Sequence, residues 1–108
     1  MTNDKPFSSA RYVTRGVSQQ VPLVLQLALW QIIDERKERG DVLDYLQVFE
    51  LSIEWKDGEP LQKVLNRQEE PSLEVAFFVK WVETPLNAVT IWVVDSDSYS
   101  TMMFPSEW

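Results

Sequence analysis

The sequence predicts an α+β fold: one amphipathic helix packed on a mainly antiparallel sheet of about five to six strands, in two layers. Three observations carry that expectation. A run of helix formers lies between Pro22 and Gly40 with no glycine or proline inside it. From Asp44 onward the apolar pattern switches from helical spacing to period two. An Asp57-Gly58 pair then separates two such alternating runs, the signature of a tight hairpin.

Residues 1–10, MTNDKPFSSA, are polar and aperiodic and read as a loose lead-in to a single domain over 11–108. Arg11 to Val17 alternates and is rich in β-formers, which predicts a short strand. Ser18 follows as a candidate N-cap for a helix that begins near Pro22, since proline suits a first helical turn. That helix runs to about Arg39, where Lys37 and Arg39 complement its negative end and Gly40 supplies the stop.

Asp44 to Trp55 reads as a long strand, with Tyr45, Gln47, Phe49, Leu51, Ile53 and Trp55 on one face. After Lys56-Asp57-Gly58-Glu59 turns the chain, Leu61 to Gln68 returns as its partner, and Glu69-Glu70-Pro71-Ser72 breaks the pairing. Leu73 to Glu83 is read as the next strand, with Leu73, Val75, Phe77, Val79 and Trp81 sharing a face. Thr84 to Asn87 turns again. Ala88 to Asp95 is nearly continuous apolar sequence, which predicts a position in the middle of the sheet. The tail from Ser100 to Phe104 adds a last short strand.

Composition removes several classes of function. The 108 residues contain no histidine and no cysteine. Ser-His-Asp and Cys-His catalysis and ordinary zinc sites therefore lose their usual groups. No GxxxxGK[ST] or GxGxxG motif occurs, so no nucleotide cradle and no cofactor is implied. The expectation is a protein that is not an enzyme. A net charge of −7 argues against direct nucleic-acid binding, which depends on neutralising phosphates. The start of the chain lacks the basic and apolar regions of a secretory signal, and VPLVLQLALWQII is too short and too often interrupted to span a membrane. A cytoplasmic setting is expected.

Four groups of residues are candidates for function. On the helix, Leu25, Ala28, Leu29, Ile32 and Ile33 form the stripe needed to cover a sheet. Leu23, Leu27 and Trp30, running on to Asp34, form a second stripe, read as a partner-binding surface or the seam of a homodimer. Its structural alternative is a stripe covered by loops or by the tail. On the hairpin, Glu50 should sit opposite Leu65 and diagonal to Lys63 and Arg67; with Glu69 these make a polar site or a solvated ion pair. Glu69-Glu70 and Asp95 with Asp97 are paired carboxylates, and glycosidase chemistry needs two carboxyls roughly 5 to 10 Å apart. Asp95-Ser96-Asp97-Ser98 also opens like a calcium loop, but the third acid and the glycine are missing and Glu107 falls one place late for the closing glutamate, so no metal is expected. A turn is the simpler use of these residues.

The order of blocks also resembles a known family. Arg11-Tyr12-Val13-Thr14-Arg15-Gly16-Val17 is followed by Pro22-Leu23, Gln26-Leu27-Ala28-Leu29-Trp30 and Ile33-Asp34-Glu35. Leu43 to Leu51, Arg67-Gln68-Glu69 and Ser100 to Trp108 continue the pattern. Together they are similar to domain-of-unknown-function family 960 of staphylococci, related Gram-positive bacteria and their phages. The family pattern favours an Asp-Asp-Gly turn and a terminal tyrosine, where this chain has Asp95-Ser96-Asp97 and Trp108. The resemblance implies a small cytoplasmic protein, often of phage or mobile-element origin, with no assigned activity, cofactor or catalytic residue. The combined expectation is a non-enzymatic protein that binds another protein, such as a host factor. The alternative is a small-molecule binder or a carboxylate-based enzyme.

Overall fold

The computed structural model describes residues 6–108. Along the chain run β1 (Ala10–Val13), α1 (Arg15–Gln20), α2 (Leu23–Glu38), β2 (Leu46–Lys56), β3 (Glu59–Gln68), β4 (Leu73–Val79), β5 (Val89–Asp95) and β6 (Tyr99–Met103), then a 3-10 turn at Pro105–Glu107. The fold is α+β. Its six strands form one sheet in the order β1-β6-β5-β2-β3-β4.

The sheet is mixed rather than mainly antiparallel, because β1 runs parallel to β6, pairing Ala10 with Tyr99 and Val13 with Met102. The strand expected over Arg11–Val17 accounts for this. It stops at Val13, and Thr14 turns the chain into the short helix α1. The Thr14 side chain accepts from the Val17 amide at 3.2 Å, the bond that an N-cap residue makes. The cap is therefore Thr14 and not Ser18, which lies inside α1, and the fold has two helices where one was expected. Pro22 precedes α2 without a side-chain cap, as its fixed φ allows. At the other end Arg39 caps α2, and Gly40, at φ +84°, ends it where the sequence placed the stop.

The hairpin follows the expected register. Asp57 and Gly58 both have positive φ, and Glu50 pairs with Leu65. β5 lies inside the sheet between β2 and β6, as its apolar run required. β4 is shorter than expected: it ends at Val79, and Trp81 takes up a left-handed backbone at φ +65° outside the strand.

Leu25, Leu29, Ile32 and Ile33 of α2 share one buried cluster with Phe49 and Leu51 of β2, Val64 of β3, Ile91 and Val93 of β5 and Met102 of β6. Phe7 belongs to the same cluster and is fully buried. Within the expected lead-in, then, residue 7 is part of the core, while residues 1–5 lie outside the described residues. Burial of this apolar set is the main force holding the elements together, at roughly 25 cal/mol per Å² removed from water.

Candidate functional site

Amphipathic patterning would put α2's polar residues in water and its apolar ones in the core. Part of α2 does the reverse. Leu23 and Leu27 are exposed, as is Val24 beside them. They face the end of β4. A cleft of about 390 Å³ lies between Val24, Leu27, Ala28 and Gln31 on α2 and Phe77 to Trp81 on the sheet edge. A second, of about 630 Å³, lies where Leu61, Phe78, Trp81 and Val82 meet the β2–β3 hairpin end. Trp81 lines both and is 89% exposed. A bulky residue with φ above zero is strained, and such outliers concentrate at functional positions. Here the conformation swings the indole off the strand, between the two clefts.

The rest of the predicted stripe behaves differently. Trp30 is buried, and the Arg11 guanidinium lies 4.8 Å from its ring centroid. The same guanidinium holds the Asp34 carboxylate with both terminal nitrogens, one of them at 3.1 Å. That hydrogen bond lowers the Asp34 pKa against a smaller opposing effect of burial. Trp30 is thus covered by β1 and Asp34, though still nearly half exposed, is tied to it, so Leu23 and Leu27 are the apolar residues of the expected surface that remain open.

The hairpin group is not brought together as a site. Glu50 accepts from Arg67 Nε at 2.8 Å, both side chains being more than two-fifths exposed. Among the described residues Lys63 makes no ion pair with Glu50, and Glu69 lies exposed in the turn beyond β3. This is a solvated cross-strand pair.

The acidic turn anchors the beginning of the chain. Asp95 Oδ2 accepts from the Phe7 amide at 3.1 Å, and Oδ1 accepts from the Asp97 amide at 3.2 Å. The Asp97 carbonyl accepts from Ser9 Oγ at 2.6 Å. These bonds are the turn chemistry of Asp and Ser extended to hold a distant segment. Among the described residues no group of three or more acidic side chains is arranged to hold a metal ion.

The sequence did not single out Arg36, the largest fully buried side chain. It donates to Gln47 Oε1 at 2.8 Å, Asn66 Oδ1 at 2.7 Å, Gln68 Oε1 at 2.9 Å and Asp41 Oδ2 at 3.1 Å. The amide nitrogens of those three residues are used in turn: Gln47 donates to Gln68 and the Asp44 carbonyl, Asn66 to Gln47, and Gln68 to the Val42 and Pro71 carbonyls. A network this well satisfied is structural, because it leaves little capacity for a ligand. Its signal was present in the sequence: Arg36 continues the inward stripe of α2, and Gln47, Asn66 and Gln68 sit at inward positions of their strands. For Val24, Phe78 and Trp81 the signal was weaker, because a strand pattern cannot show that the strand ends before its last aromatic.

The model of DUF960, a family of staphylococcal proteins of unknown function, matches residues 10–107. The chain belongs to this family. The resemblance carried by the sequence blocks thus extends over nearly the whole domain. A DUF960 chain is also similar to a crystal structure of a protein of unknown function from Enterococcus faecalis, with 26% identity and a TM-score of 0.77 over 100% of this chain and 98% of that one. None of the curated proteins compared with it matches. No helix among the described residues is long and apolar enough to cross a membrane.

Proposed function

We propose that this DUF960 protein acts by binding another protein and not by catalysis. The observation that carries the reading is the exposed apolar rim formed by Val24 and Leu27 of α2 with Phe78 and Trp81 of the sheet edge around one cleft, with exposed Leu23 beside Val24 and Trp81 in the adjoining one. Tryptophan in such a rim is the residue type most often central to binding energy. In this reading α2 forms one layer over the sheet, and the protein works in the cytoplasm of a bacterial or phage-infected host. The charge of −7 suits a partner with a basic face.

The test compares proteins captured from host lysate by the wild type and by Leu27→Glu and Trp81→Glu, with folding checked by circular dichroism. A partner retained by the wild type and lost with both variants supports the reading. Identical capture by all three removes it.

A second reading is favoured by the volume of the larger cleft, about 630 Å³, which lies in the range of small-molecule sites. It replaces the expected Glu50–Arg67 and Asp95–Asp97 locations with Leu61, Phe78 and Trp81. Native mass spectrometry of purified protein tests it, since a co-purifying metabolite released on heating would favour it over the protein-binding reading.

A further inference from the structure

We infer that the partner at the outer edge of β4 is a second copy of this chain, added strand to strand about a two-fold axis at Phe77. The inference rests on the reading of this region as an interaction surface and names its occupant.

β4 ends the sheet, and no described residue pairs with its outer side. Exposed edges are commonly guarded by lysine, proline, a bulge or shortness. Leu73–Val79 itself has none of these: it is seven residues long, pairs with β3 without a bulge, and carries one charge, Glu74, with Lys80 standing just beyond its end.

The backbone groups that point outward follow from the register. The Asp95 amide donates to the Tyr45 carbonyl at 2.8 Å, so odd-numbered residues of β2 direct their backbone groups toward β5 and even-numbered ones toward β3. Carried through Glu50↔Leu65 and Asn66↔Val75, the alternation leaves the amides and carbonyls of Glu74, Ala76 and Phe78 facing away from the sheet.

Antiparallel pairing of two such edges centred on Phe77 sets Ala76 opposite Phe78 of the second copy. It sets Glu74 opposite Lys80 of the second copy, and the two-fold repeats that pair of opposite charges. Centred on Ala76 instead, Lys80 would face Ser72 and Glu74 would face Phe78. Charge complementarity therefore selects the Phe77 register. Odd-numbered residues of β4 lie on the same face as buried Val64 and Asn66, the face that carries the cleft against α2. Phe77 of the second copy, opposite the first Phe77, would enter that cleft.

Sedimentation velocity on the full chain tests this. The expected species has about twice the monomer mass of 12.6 kDa. Glu74→Lys and Lys80→Glu, each placing like charges in both pairs, should weaken the dimer by about tenfold or more, and the double variant E74K/K80E should restore it. Ala76→Pro removes an outward amide and no bond to β3, so it should give a folded monomer by circular dichroism. A wild type that is monomeric at every concentration overturns the inference, as does a dimer indifferent to E74K or a double variant no better than the single ones. A monomer that still captures a partner through Leu27 and Trp81 would refute the self-pairing alone and leave the protein-binding reading intact.

Discussion

The two ends of α2 are built on opposite principles. At its start Leu23, Val24 and Leu27 stand in water, while near its end Arg36 is the largest fully buried side chain of the fold. Apolar exposure at one end and polar burial at the other both run against simple hydropathy. They differ in what the chain supplies to compensate. Arg36 arrives with three side-chain amides and a carboxylate aimed at it, so its burial fixes the register of α2 against β2 and β3. Nothing described in the fold covers Leu23 and Leu27; in the proposed function a partner does.

Substitutions can break this contrast at either end. The largest effect is expected for Arg36→Ala, which takes the donor from the buried Asn66 oxygen, removes one bond each from the Gln47 and Gln68 oxygens and leaves a cavity in the interior. A loss of about 3–5 kcal/mol is expected in urea unfolding. Trp30→Ala, beside that end, should cost a similar amount, about 3–5 kcal/mol by the same measurement. Arg11→Ala uncovers the Trp30 ring and should cost about 1–2 kcal/mol, with a change in tryptophan emission as solvent reaches the indole.

The Arg11 effect carries a pH signature. Asp34 has a folded pKa below the ordinary value of 3.8, because Arg11 donates to its carboxylate. A depressed pKa favours the folded state above the ordinary value, and that contribution disappears as pH falls through the lowered one. The stability gap between wild type and Arg11→Ala should therefore be full at neutral pH and narrow below 3.8. Asp34 is nearly half exposed, so screening keeps this part of the gap small.

At the other end of α2, Leu27→Glu should change stability by no more than about 0.5 kcal/mol and, if the proposed function holds, remove capture of the partner. The smallest effect belongs to Arg67→Ala, under about 1 kcal/mol and fading with added salt, since its pair with Glu50 is solvated.

The parts of the fold that were legible in the sequence were those fixed by local chemistry. Asp57-Gly58 set the register of β2 on β3, Gly40 set the end of α2, and the apolar run of β5 placed it inside the sheet. What stayed hidden depends on contacts between distant residues. Thr14 reads as a strand residue until its hydroxyl is seen capping α1, and the parallel pairing of β1 follows from that turn. Trp30 belonged to the second stripe by angle alone; a β1 arginine removes it from the surface. Trp81 continued the alternation of β4 in letters, while its backbone had already left the strand. In the candidate site, Leu23 and Leu27 were legible as unsupported apolar residues. Their neighbours Phe78 and Trp81 were not, because only the tertiary fold brings the end of β4 alongside α2.

The pairing of β1 with β6 has a consequence for how the protein is made. Residues 10–13 leave the ribosome early, yet among the described residues their only strand neighbour is formed by residues 99–103. Phe7 likewise waits for Asp95 to fix its amide. Throughout synthesis the first strand has no sheet to join, and the core lacks one of its aromatic rings. The hairpin of β2 and β3 can close while the chain is still growing, since its contacts are local. Closure of the β1 edge is necessarily a late step, and a chain stalled before Tyr99 would hold a four-stranded sheet with β5 exposed as its second edge.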